Sequence, residues 1–119
     1  MINPITRLLR NTGYSWQGFK AVWQTEWAFR AEIVVAVPMA LIALLLPVSL
    51  PEKALLLSAL LLVLLAELAN TAIEVVINRI SEERHVLSGK AKDIGSAMVF
   101  IALVNAGIVW LFIIWGCIF

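Results

Sequence analysis

Residues 66–74 read AELANTAIE, directly after ALLLSALLLVLL at residues 54–65. The earlier stretch is written for hydrocarbon, yet the run that continues it carries Glu67, Asn70 and Glu74. An acidic side chain deep in a membrane span costs on the order of 3 kcal/mol on insertion scales, and ionised groups there normally face other protein or a water-filled cavity. At about 100° per residue, Glu67 and Glu74 fall roughly 20° apart on a helical wheel, with Asn70 about 60° to one side. Asn78 continues the line one turn further, so four polar groups form a stripe with Leu64, Leu68, Val75 and Val76 off it. If a hydrocarbon layer of about 30 Å takes up roughly 20 residues from Ala54, Glu74 falls at its boundary and Glu67 about 10 Å beneath. Polar residues in spans also serve as glue between helices. That reading suits Asn105 and stays open for Asn70, whereas two glutamates leading inward on one line favour a functional site.

The rest of the chain agrees with a membrane class. Of 119 residues, 62% are hydrophobic and 14% charged, too few polar groups to cover a soluble surface. A net charge of +1 lacks the basic excess that nucleic-acid binding requires. Cys117 is the only cysteine, which excludes an intrachain disulfide. No cleavable signal peptide is expected, because the first long apolar run begins near Ile33, after Arg7, Arg10, Lys20, Glu26, Arg30 and Glu32. Three spans are expected, at about 29–48, 54–77 and 97–118, in an all-α chain that forms one domain over 1–119. Pro38 is expected to kink the first. Arg7, Arg10, Lys20 and Arg30 precede the first span, Lys53 alone lies between the first two, and Arg79, Arg84, Lys90 and Lys92 lie between the second and third. This asymmetry places the amino terminus and the second loop in the cytoplasm.

Within residues 1–30, Ile5, Leu8, Leu9, Thr12, Trp16, Phe19, Trp23 and Trp27 recur at helical spacing, which predicts an amphipathic helix or helix pair on the membrane surface, with Gly13 and Gly18 weakening one continuous helix. The charged loop NRISEERHVLSGKAKDIGS, residues 78–96, is not a P-loop: that pattern needs glycine where Arg84 stands and Ser or Thr where Ala91 stands. The protein-kinase signatures are absent as well. His85 is the only histidine, so a three-histidine metal site cannot be built inside one chain, and alone in a loop it reads as a polar contact. The four loop cations also suit lipid headgroups. One chain with three spans cannot enclose the polar stripe, so a homo-oligomer is expected.

Taken together, ELANTAIE at 67–74, ERHVLSGKAKDIGSA at 83–97 and GYSWQGFKAVWQTEWAFRAE at 13–32 resemble the prokaryotic membrane diacylglycerol kinases over nearly the whole chain. The resemblance implies a homotrimeric helical bundle in the bacterial inner membrane, with a surface helix and three spans per subunit. It implies transfer of the γ-phosphoryl group of ATP to diacylglycerol, dependent on Mg2+, at sites shared between subunits. By the same resemblance, Glu67 matches the catalytic base and Asn70 its polar neighbour. Glu26 and Glu74 match the metal-holding carboxylates beside ATP. Arg7, Tyr14, Glu83, Arg84, His85, Lys92 and Asp93 match nucleotide-contacting positions. Ser15, Trp16, Lys20, Ala21, the run Arg30, Ala31, Glu32, Ile33 and Val34, and Ser96 match positions that meet the lipid together with Glu67. One departure is Asn78, where the family commonly carries Asp. Undecaprenol is the alternative lipid alcohol. An oligomeric channel explains an intramembrane acid but not the GKAKD segment or Glu26, and a non-catalytic scaffold held by polar glue has no activity to lose.

Overall fold

A computed structural model describes residues 3–81, 83 and 85–119. Four helices follow one another: α1 over Pro4–Thr25, α2 over Trp27–Leu45, α3 over Leu50–Ile80 and α4 over Val86–Ile118. The last three are long and apolar enough to cross a membrane.

Each start is written in the sequence. Asn3 caps α1 by accepting from the Thr6 amide at 2.8 Å, and Pro4 fills a first-turn position where its missing N–H costs nothing. The helix then runs without interruption through Gly13 and Gly18. It ends at Thr25 rather than near residue 30, and Glu26 alone separates it from α2, in an extended conformation at φ −112° and ψ 106°. Pro38 is accommodated inside α2. Ahead of α3, Ser49 and Glu52 form a reciprocal capping box. Lys53 Nζ reaches back to the Leu44 carbonyl at 2.6 Å, satisfying an acceptor that the end of α2 leaves open.

At 1.5 Å per residue α3 is about 46 Å long and α4 about 50 Å, each well beyond the roughly 30 Å of a hydrocarbon layer. The excess lies at the charged end. Residues 86–96, expected as loop, are the opening turns of α4, and the third apolar helix therefore begins eleven residues before position 97. His85 is its N-cap: Nδ1 accepts from the Leu87 amide at 3.0 Å, so the lone histidine organises a helix start.

The most extensive packing is between α3 and α4, with α2 against α3 and α1 barely attached. Ala43, Leu56, Ala59, Trp110 and Ile113 form the core at the end away from the charged connection, and Trp110 Nε1 donates to the Leu56 carbonyl at 3.2 Å. Val63, Ala66 and Ala102 form a second cluster nearer the polar stripe. Small residues let these backbones approach closely, which drives association where lipid supplies no hydrophobic force between helices. The molecule measures 53 × 42 × 24 Å. Its smallest dimension is that of two helices of 10–12 Å side by side. No helix is therefore surrounded on all sides.

Candidate active site

On α3 the stripe is real. Glu67, Asn70 and Glu74 are all half-buried on one continuous helix, and Asn78 is exposed at its end. What meets the stripe differs along its length.

At the deepest position, the side chains of Glu32 on α2 and Glu67 on α3 meet across the helix interface. Glu32 Oε2 is buried without a hydrogen-bond partner. Two carboxyl groups in contact can hold one proton between them, so this pair is equipped to take up and pass on a proton. One turn nearer the charged end, the Asn70 side chain lies against Gly95 of α4. At the end of α3, Lys92 Nζ donates to Asn78 Oδ1 at 3.3 Å.

Four clefts lie around these contacts. The first, about 650 Å³, is walled by Trp16, Phe19, Lys20 and Trp23 of α1, Phe29 and Ile33 of α2, and Leu61, Leu64, Leu65 and Leu68 of α3. Its lining is almost wholly apolar and suits hydrocarbon chains. A neighbouring cleft of about 560 Å³ brings Ser15 and Ala21 against Leu68, Thr71, Ala72 and Val75. The third, about 510 Å³, is the most polar of those described and gathers Glu83, His85 and Lys92 with Ser81, Ser88 and Gly89. Ala31 and Glu32 open onto a separate apolar cleft of about 550 Å³ toward Trp110 and Leu111 of α4.

The remaining sequence-derived positions are placed as follows. Arg7 and Tyr14 are exposed on α1, and Val34 is exposed on α2 beside half-buried Arg30. Asp93 and Ser96 are exposed on α4, flanking buried Gly95. Arg84 lies outside the described residues. Glu26 is half-buried in the α1–α2 joint, and its carboxylate makes no capping bond, which leaves both oxygens for a ligand. No three acidic, histidine or cysteine side chains gather into one cluster among the described residues. Glu26 and Glu74 nevertheless supply the hard oxygen donors that Mg2+ prefers, and such a metal needs only one or two carboxylates when phosphates and water complete its shell.

Three contacts at this site escaped the sequence reading. Glu67 meets Glu32 across 35 positions of sequence. Asn78, visible as the end of the polar stripe, bonds Lys92, a partner the stripe does not reveal. Gly95 belongs with Asn70, and nothing in the sequence marks that glycine above the other five.

Comparison with known proteins adds an independent line. A family model described as prokaryotic diacylglycerol kinase matches residues 13–114. A diacylglycerol kinase of Escherichia coli (strain K12) is 46% identical over 111 residues, covering 93% of this chain and 91% of its own length. One from Haemophilus influenzae is 47% identical over 106 residues, covering 89% of this chain and 90% of its own. A third, from Pseudomonas aeruginosa, is 45% identical over 112 residues, covering 94% and 91% respectively.

Proposed function

The chain belongs to the prokaryotic diacylglycerol kinase family, and we propose on that footing that it transfers the γ-phosphoryl group of ATP to the free hydroxyl of diacylglycerol, releasing phosphatidate and ADP. One observation carries the reading: a single helix, α3, joins an apolar cleft that ends at Leu68 to a polar cleft that begins at Ile77. Nine residues of helix separate those positions, about 14 Å. Glu67, Asn70 and Glu74 occupy that interval and its edge. The polar stripe thus lies between a cleft suited to the lipid's chains and a cleft suited to the nucleotide, whose reacting ends must converge on it.

Phosphoryl transfer asks the protein for positioning and charge neutralisation more than for covalent chemistry. The acyl chains lie along Trp16, Phe19, Trp23 and the leucine face of α3, with Lys20, Ser15 and Ala21 toward the headgroup. Arg30, Ala31, Ile33, Val34 and Ser96 complete the lipid's surroundings. Glu67 accepts the hydroxyl proton as that oxygen bonds to the γ-phosphorus and the bond to the β–γ bridging oxygen breaks, with Glu32 positioned to share the proton. Asn70 orients this reaction zone. Lys92 sets a mobile positive charge beside the phosphates, and Arg7, Tyr14, Glu83, Arg84, His85 and Asp93 complete the nucleotide's contacts. Glu26 and Glu74 would hold Mg2+, which would supply neutralisation of phosphate charge.

The assembly is a homotrimer in the bacterial inner membrane, amino terminus cytoplasmic. Arg and Lys flanking the α1 and α3–α4 ends support that orientation. The thin, open shape supports completion of the site by a neighbouring subunit. A purified-protein assay settles the substrate: ATP-dependent phosphorylation in mixed micelles with diacylglycerol and undecaprenol side by side. Preference for undecaprenol would overturn the lipid assignment, and no transfer to either would overturn the kinase reading.

A further inference from the structure

Six glycines are present, and a side chain would be felt at one of them. Beside Gly13, Gly18, Gly89, Gly107 and Gly116, a Cβ would meet nothing within 4 Å. A Cβ on Gly95 would stand 3.2 Å from Asn70 Cγ and 3.7 Å from Asn70 Cα, and would collide with Asn70 Oδ1. Gly95 is buried, and Asn70 Oδ1 is buried with no hydrogen-bond partner. Glycine is a poorer helix former than alanine, so α4 gives up stability at this position.

The space at Gly95 is thus filled by the amide oxygen of Asn70, facing a backbone whose Cα hydrogens are the nearest weak donors. Turning the oxygen into α4 directs the NH2 group the other way, because the two ends of a planar amide diverge. Glu67 and Glu74 stand three residues before and four residues after Asn70, its nearest neighbours on the helix surface. Lys92, Asp93 and Ser96 lie within one turn of Gly95 on α4.

We propose that Gly95 is a positioning residue for phosphoryl transfer: the room it leaves between α3 and α4 fixes the rotamer of Asn70, so that the amide presents its NH2 to the Glu67–Glu74 stripe. This rests on the assignment of Asn70 to the reaction zone. Gly95 itself touches neither substrate. It acts through Asn70, and a methyl group at position 95 forces the Asn70 side chain to rotate or the helices to part.

The test uses Gly95→Ala, Asn70→Ala and the double variant, purified in detergent as the full chain. A displaced orienting group lowers kcat while leaving ground-state binding in place. Gly95→Ala should lower kcat about 10- to 100-fold with KM for diacylglycerol within about twofold of the parent, the loss expected of a displacement near 1 Å. Its thermal unfolding midpoint should fall, whereas adding Gly95→Ala to Asn70→Ala should lower the midpoint no further, since the clashing oxygen is gone. A folded Gly95→Ala protein with parental kcat overturns the proposal. So does an equal drop in midpoint with and without Asn70. If Gly95→Ala does not fold, a folded double variant supports the proposal and an unfolded one overturns it. Full turnover by Asn70→Ala instead removes Asn70 from the chemistry, a result distinct from an inactive Asn70→Ala beside an active Gly95→Ala.

Discussion

Lys92 Nζ donates to Asn78 Oδ1 at 3.3 Å, joining the second turn of α4 to the last turn of α3. An amide oxygen holds the ammonium in place without cancelling its charge. Lys92 therefore lines the polar cleft with its Nζ tethered to a neutral partner. A carboxylate at position 78 would hold it by an ion pair instead.

Asn78→Asp accordingly makes Lys92 leave a counter-charge to reach a phosphate. Exposed ion pairs are worth about 0.2–1 kcal/mol, so KM for ATP should rise about two- to fivefold with kcat unchanged. Raising the salt concentration should shrink the difference between variant and parent. Initial rates across an ATP titration at two ionic strengths measure both effects.

Glu67→Gln keeps the shape of the side chain and its contact with Glu32 while removing the proton acceptor. General-base removal typically costs about 10²- to 10⁴-fold, and kcat should fall by at least the lower figure. KM for the lipid should hold, because the apolar cleft is untouched. Transfer of labelled phosphate to diacylglycerol in mixed micelles reads the loss, and near-parental turnover would remove Glu67 from its role.

Glu26→Gln and Glu74→Gln should each shift the Mg2+ titration to higher concentration and raise KM for ATP. Because the Glu26 carboxylate makes no capping bond, its replacement should leave the thermal midpoint in place. A midpoint drop at position 26 with an unchanged Mg2+ titration would assign that side chain to the joint rather than to the metal.

Trp110 packs in the core far from the charged end and bonds the Leu56 carbonyl. Trp110→Phe should cost about 1 kcal/mol through the lost hydrogen bond. Trp110→Ala should cost about 3–5 kcal/mol by leaving a cavity. Thermal inactivation half-lives should order parent, Phe and Ala accordingly, with kcat in the folded protein preserved.

The sequence carries some of these relationships and hides others for physical reasons. Hydrophobic run length is set by a helix's own rise, so the three long helices and the stripe on α3 are visible without any partner. Glu32 and Glu67 are 35 positions apart, and only the packing of α2 on α3 brings their carboxyls together. The opening turns of α4 read as loop because Lys90, Lys92 and Asp93 suit water, yet charged straight-chain residues and alanine are good helix formers once His85 supplies the cap. At Gly13 and Gly18 the helix carries the glycine penalty and continues, with the Asn3 and Pro4 start holding its first turn. The fit of Asn70 over Gly95 depends on a separation between two helices, which no spacing along one chain encodes.

Glu26 is a joint one residue long. On its amino-terminal side stand Trp16, Phe19, Lys20 and Trp23, and on the other Phe29 and Ile33, all of which line the apolar cleft of about 650 Å³. No side chain of α1 is buried, so interior packing does not lock the angle between those two sides. The aperture of that cleft is therefore governed by two backbone torsions, φ and ψ of Glu26, and a turn of a few degrees at this residue is amplified along the 22-residue arm that follows it.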